Sequence, residues 1–175
     1  GFDMNAHIYP SATIGQNTEV GHCSVIMDNV TIGKNCRIGH HAVIHPDTKI
    51  GDNVRIDDHA TIGKLPMKAL NSATTQNVDL NPAQIGSGSL IGTGAILYRG
   101  SCISEHVLVA DQATVREQSQ VGAYTIIGRG VAIENRVVVG TRTKIEAGAY
   151  IASLSEIGDD CFVAPEVTVT NDNFM

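Results

Sequence analysis

Counting in sixes from Ile8, the chain sets an aliphatic residue at every step as far as Ile62: Ile14, Val20, Ile26, Ile32, Ile38, Ile44, Ile50 and Ile56 lie between. The count breaks there, resumes at Ile85, and runs to Val169 through Ile91, Leu97, Ile103, Val109, Val115 and their successors. Four places after each aliphatic of the first run stands a small or β-branched residue, as at Ala12, Thr18, Ser24, Val30 and Cys36. No helix has a period of six, and a plainly alternating strand has no need of one. The pattern predicts a solenoid in which a short strand points one aliphatic inward, a tight turn follows, and the next strand begins.

Gly, Asn, Asp and His crowd the turn places, in "GQN", "GKN", "GDN", "GSG", "GTG" and "GRG". These residues tolerate the left-handed backbone region that tight corners require. Three hexads close a triangular coil of about 18 residues. Coils stack at strand spacing, ~4.8 Å, so about eight of them make a prism ~38 Å long. Stacking buries the core, so 175 residues with three Phe and no Trp suffice for one domain, 1–175. Its coils occupy 8–63 and 85–174. Between them lies "KLPMKALNSATTQNVDLNPAQ", residues 64–84, so that the step from Ile62 to Ile85 is 23 residues where the repeat needs six. A long excursion from a regular scaffold is a place to expect function.

The register also assigns the outer surface. Face A, which buries Ile26, Ile44, Ile62, Leu97, Val115, Ile133 and Ile151, turns Val25, Val43, Ile96 and Tyr98 outward, with His45, Arg116 and Glu134 among them. Face C, which buries Ile38, Ile56, Ile91, Val109, Ile127 and Ile145, turns out Leu90, Leu108, Ile126 and Phe162. Face B shows Thr31, Lys49, Gln84 and Gln120 and is the wet one. Two partly apolar faces meeting at one corner predict a subunit interface. His22, His40, His41 and His59 fall in that C-to-A corner, one coil apart. They read first as turn residues, since His is enriched in the left-handed region. A zinc site using His40, His45 and an imidazole from a neighbouring subunit is the rival, and a histidine base is a third reading.

Beyond the loop, "LYRGSCISEHVLVADQATVREQSQ", residues 97–120, carries a charged set that the fold does not require. Arg99 with Glu117 can be a weak surface pair. Arg99 and Arg116 also suit a diphosphate, because guanidinium pairs well with phosphate oxygens, and Tyr98 suits a ring.

The hexad pattern resembles the hexapeptide-repeat family of left-handed parallel β-helices, over 8–63 and 85–174. The resemblance implies an all-β fold of about eight triangular coils with one protruding loop. It alone supplies the left hand, since the usual crossover rule favours the other. It also implies a homotrimer with the C-to-A corner near the axis. Members are mostly acyltransferases that use acyl-CoA or an acyl carrier protein, and a minority are zinc carbonic anhydrases. "FVAPEVTVTNDNFM" and the run "RGS", "AD", "VRE" are similar to the branch that acylates amino groups on nucleotide-linked deoxyamino sugars. The expectation is therefore an acyl-CoA-dependent N-acyltransferase acting on a dTDP- or UDP-sugar, with no metal. Asp111 and Glu117, from different subunits because they occupy different corners, would orient or deprotonate the amine. Ser101 enters through the resemblance only, for the register points it inward. Tyr98, Arg99 and Arg116 would hold the sugar nucleotide. Ala110 and Gly128 would let backbone amides approach pantetheine, with Arg129 and Lys144 near phosphate. The alternatives are a γ-type zinc carbonic anhydrase and a non-catalytic β-helical scaffold. A sugar nucleotidyltransferase lacks room for its nucleotide-binding domain.

A net charge of −6 argues against nucleic acid or an anionic membrane as partner. No apolar run reaches spanning length and no signal peptide is visible. The four cysteines lack metal spacing, and free thiols fit a reducing cytoplasm.

Overall fold

The structure, a computed structural model, describes residues 5–71 and 79–171. Among them the chain forms twenty-five short strands, from β1 (His7–Ile8) to β25 (Thr168–Val169), and no helix. Every strand pairs in parallel with the third one on, giving one nine-stranded and two eight-stranded sheets. Three strands make a coil, so the chain winds just over eight coils of a left-handed parallel β-helix. The expected fold class is the observed one.

The register is like upon like. Ile26 faces Ile44, Ile38 faces Ile56, and Val121 faces Val139. The aliphatics counted in sixes form one continuous core, most of it fully buried. The smaller inward residues fill the corners. Where these carry hydroxyls, the corner backbone satisfies them: Ser24 donates to the Gly39 carbonyl at 2.6 Å and accepts from the Ala42 amide at 3.0 Å. A buried hydroxyl left without such partners would cost ~1–3 kcal/mol.

The third residue of nearly every corner has positive φ. His41 (53°), His59 (59°) and Cys23 (57°) stand there alongside Asn17, Asn29, Asn35 and Asn53. His41 and His59 are thus corner residues, and their rings stack at 5.1 Å and 3°. His40 is bound into the scaffold as well, its Nδ1 accepting from the His22 amide at 2.8 Å. Among the described residues no group of three or more His, Cys, Asp or Glu could hold a metal ion.

The loop leaves from β10 (Thr61–Lys64) and returns to β11 (Gln84–Ile85), so the excursion runs over 65–83, one residue inside the expected limits at each end. Its middle, 72–78, lies outside the described residues, as do residues 1–4 and 172–175, the last of which end the "TNDNFM" run. At the exit Gly63 takes φ +83° and forms a bulge. The bulge places Lys64, rather than Gly63, opposite Tyr98 in the next coil.

Candidate active site

The bulge completes a column of side chains on the outside of the nine-stranded sheet, along its edge with face B. From coil to coil it reads His45, Lys64, Tyr98, Arg116, Glu134. These residues follow β7 (Val43–Ile44), end β10 and β13 (Ile96–Tyr98), and follow β16 (Thr114–Val115) and β19 (Ala132–Ile133). They face one way because they hold equivalent places in stacked coils. Tyr98 is flanked by two cations, with Lys64 Nζ 5.2 Å and Arg116 Cζ 5.0 Å from the ring centre. Such contacts contribute ~0.5–2 kcal/mol and fix the ring's orientation.

Arg116 is clasped from two sides. Its Nε and Nη2 donate to the Glu117 carboxylate at 3.2 and 2.9 Å, and Nη1 stands 3.6 Å from Glu134 Oε2. Burial works against its charge, but the Glu117 hydrogen bonds and the charges of Glu117, Glu134 and Tyr98 more than offset this and raise its pKa. Glu117 is itself buried. His45, half-buried at the far end of the column, is held below the ordinary histidine pKa by burial first and then by the Lys64 ammonium. Its imidazole is therefore neutral at pH 7 and can accept a proton. A neutral base, two cations and a fixed carboxylate pair in one line can deprotonate a nucleophile and stabilise a developing oxyanion.

The remaining expected site residues fall elsewhere. Arg99 is tied into the scaffold, donating from Nε to the Leu80 carbonyl at 3.1 Å, from Nη1 to the Pro46 carbonyl at 2.9 Å and from Nη2 to Asp47 at 3.0 Å. It makes no pair with Glu117, which Arg116 occupies. Ser101 is buried and donates to the Tyr98 carbonyl at 2.7 Å, as the inward register expects.

Asp111 sits at the opposite edge of face A, in the C-to-A corner. Its Oδ1 accepts from the Thr93 amide at 2.9 Å. Asp52, Asp58 and Asp159 do the same for Lys34, His40 and Thr141, so this is a recurrent corner cap. A Cβ on Gly92 would stand 2.6 Å from that oxygen, which explains a glycine beneath the cap. Asp111 also lines a hollow of about 250 Å³ with Ala110, Arg129, Arg55, Leu90 and Leu108. Gly128 is required by stacking, since a Cβ there would lie 2.7 Å from the Ala147 amide nitrogen. Lys144 pairs with Glu146 at 3.3 Å in the following coil.

The structure thus brings together Tyr98, Arg116 and Glu117, and separately Ala110, Asp111 and Arg129. Sequence reasoning set Glu134 on face A without a role and passed over Lys64. A count of 18 from His45, corrected for one bulged residue, would have found Lys64.

Residues 29–64 match the family model described as bacterial transferase hexapeptide (six repeats). Among solved structures, the chain superimposes at TM-score 0.88 and 22% identity on LpxA, a UDP-N-acetylglucosamine acyltransferase from Bacteroides fragilis, over 97% of this chain and 67% of that one. A UDP-N-acetylglucosamine acyltransferase from Campylobacter jejuni aligns at TM-score 0.69 and 21% identity, over 90% and 69%. GDP-perosamine N-acetyltransferase from Caulobacter crescentus, crystallised as a mutant with CoA and GDP-perosamine, aligns at TM-score 0.50 and 21% identity, over 80% and 55%. At these identities the likeness is one of fold. No curated protein matches the sequence significantly. The chain has the parallel β-helix fold, built on a six-residue repeat, that these proteins share.

Proposed function

We propose that the chain is an acyltransferase acting on a nucleotide-linked sugar, and more finely that it transfers an acyl group from acyl-CoA to a sugar amine. The observation that carries this is the column that sets a neutral His45 beside Lys64, with Tyr98 and Arg116 following in line. Three structural neighbours that are nucleotide-sugar acyl- or acetyltransferases support the substrate class. The amine nitrogen attacks the thioester carbon, and its proton passes to His45. Lys64, the next side chain to His45 in the column, stands ready for the charge on the former carbonyl oxygen, and Arg116, beyond Tyr98, holds the ring in place. The C–S bond then breaks and the thiolate leaves, taking up the proton from the imidazole.

The hollow at the other edge of face A offers Arg129 to phosphates above an apolar floor of Leu90, Leu108 and Ala110, with Arg55 beside it held by Asp57 at 2.7 and 3.2 Å. That combination suits a long donor with an anionic end. One chain holds this hollow and the column on different edges, so the full site calls for a second copy. The apolar outer residues Leu90, Leu108, Ile126 and Phe162 support trimerisation through face C. Light scattering at micromolar concentration should give three copies per particle, and a monomer would rule the shared site out. The four cysteines, none in a disulfide, suit a reducing cytoplasm.

The direct test is a thermal-shift panel of acyl-CoAs crossed with UDP-, dTDP- and GDP-sugars, amino and hydroxyl forms side by side. A ligand at 100 times its Kd stabilises by about 2.7 kcal/mol. The expected result is a shift with one donor, one amino-sugar nucleotide, and acyl transfer between them. Transfer to hydroxyl sugars alone would keep the transferase class and overturn the N-acyl reading. No shift with any donor or acceptor would favour a non-catalytic scaffold.

A further inference from the structure

Backbone bookkeeping at the corners exposes a missing partner. At corner after corner, the carbonyl of the second residue accepts the amide of the third residue one coil on: Gln16 from Asn35, His22 from His41, Asp28 from Asp47, Lys34 from Asn53, Thr93 from Gln112. Pro46 holds the same place in the coil just before the loop. The amide that would reach it belongs to the corner that departs as 65–83. Buried carbonyls rarely go unpaired. Here the donor is Arg99, reaching back two coils: Nη1 meets the Pro46 carbonyl at 2.9 Å and Nη2 the Asp47 carboxylate at 3.0 Å. The third bond, from Nε to the Leu80 carbonyl at 3.1 Å, fastens the loop's returning limb. Arg99's own amide donates to the Lys64 carbonyl at 2.8 Å, fastening the outgoing limb. The Arg99 side chain is only 21% exposed, and the Leu80 methyl would lie 3.4 Å from a Cβ on Gly100.

We infer that Arg99 is a positioning residue: its guanidinium stands in for the missing corner rung and latches the returning limb of the loop to the peptide that follows His45, while its backbone amide holds the outgoing limb. The loop base then forms a fixed wall beside the column, and that wall sets how the acceptor sugar fits. The second half of this inference rests on the transferase reading, and the latch itself does not. A planar fork reaches three separate acceptors from three different nitrogens, a span that the three donors of one ammonium nitrogen do not cover.

Three variants test it: Arg99→Ala, Arg99→Lys, and Asp47→Asn, the last keeping a residue that tolerates the left-handed backbone at that corner (φ 67°). Amide hydrogen exchange in the segment 79–85 should quicken about tenfold or more in Arg99→Ala and Arg99→Lys, and by less in Asp47→Asn, with the distant coils unchanged. In transfer assays the KM for the nucleotide sugar should rise about tenfold in Arg99→Ala, with kcat and the KM for the acyl donor within about twofold. Unchanged exchange at 79–85 would overturn the latch. Faster exchange with an unchanged sugar KM would overturn the link to the acceptor, as would full rescue by lysine. If Arg99→Ala does not fold, Asp47→Asn carries both measurements. Absence of transfer by the parent protein would defeat the transferase reading, and exchange alone would then decide the latch.

Discussion

Replacing His45 by Gln should lower kcat/KM by ~10²–10³, the contribution expected of a general base in place. The melting temperature should hardly move, since the imidazole is half-exposed and outside the core. The pH profile adds a sign. Protonation removes the base, so the rate falls as pH drops through the His45 pKa. Burial and then Lys64 hold that pKa below the ordinary 6.5, so the acid limb of kcat/KM should have its midpoint below 6.5. Lys64→Met removes the neighbouring charge and should shift that limb to higher pH. A Gln variant within tenfold of the parent, or an acid limb unmoved by Lys64→Met, would take His45 out of the mechanism.

Glu117→Gln should cost ~10² in kcat/KM, or about 2.7 kcal/mol of transition-state stabilisation. The amide keeps the shape but loses the two charge-assisted bonds that hold Arg116 against Tyr98. Arg116 is then left to Glu134, one coil further on, and the cation beside the ring swings away from its place. Asp111→Asn should stay within about tenfold of the parent, because an amide oxygen can still cap the Thr93 backbone. These two variants separate the two corners. A large loss at Asp111 with little at Glu117 would move the chemistry to the hollow beside Arg55 and Arg129.

The scaffold was almost wholly legible because its repeat is strictly local. Each inward aliphatic is set by its own hexad, and each corner by a residue that accepts positive φ, so Ile8 to Val169 could be placed before any contact was known. The corner histidines were legible on the same ground. Asp111 has a second reading that the sequence also held: Asp52, Asp58 and Asp159 stand at equivalent corner places behind Gly33, Gly39 and Gly140, which marks a cap as well as a candidate catalyst. What the repeat could not reveal arises where it is interrupted. The bulge at Gly63 shifts Lys64 by one place into the Tyr98 column. Arg99 turns inward to a gap that exists only because a corner has left.

The excursion at 65–83 enters and leaves the stack without altering its phase: Ile62 and Ile85 remain consecutive rungs. One residue added inside a coil would turn the inward side chains of that coil outward and break its pairing above and below. One residue added beyond Lys64 changes nothing in the stack. The molecule therefore has two separate kinds of sequence memory, one that counts and one that does not. The counted part keeps His45, Tyr98 and Arg116 at fixed intervals. The uncounted part, which stops short of the Leu80 latch and the buried Ala83, can lengthen, shorten or change composition, and with it the shape of whatever lies beside the column.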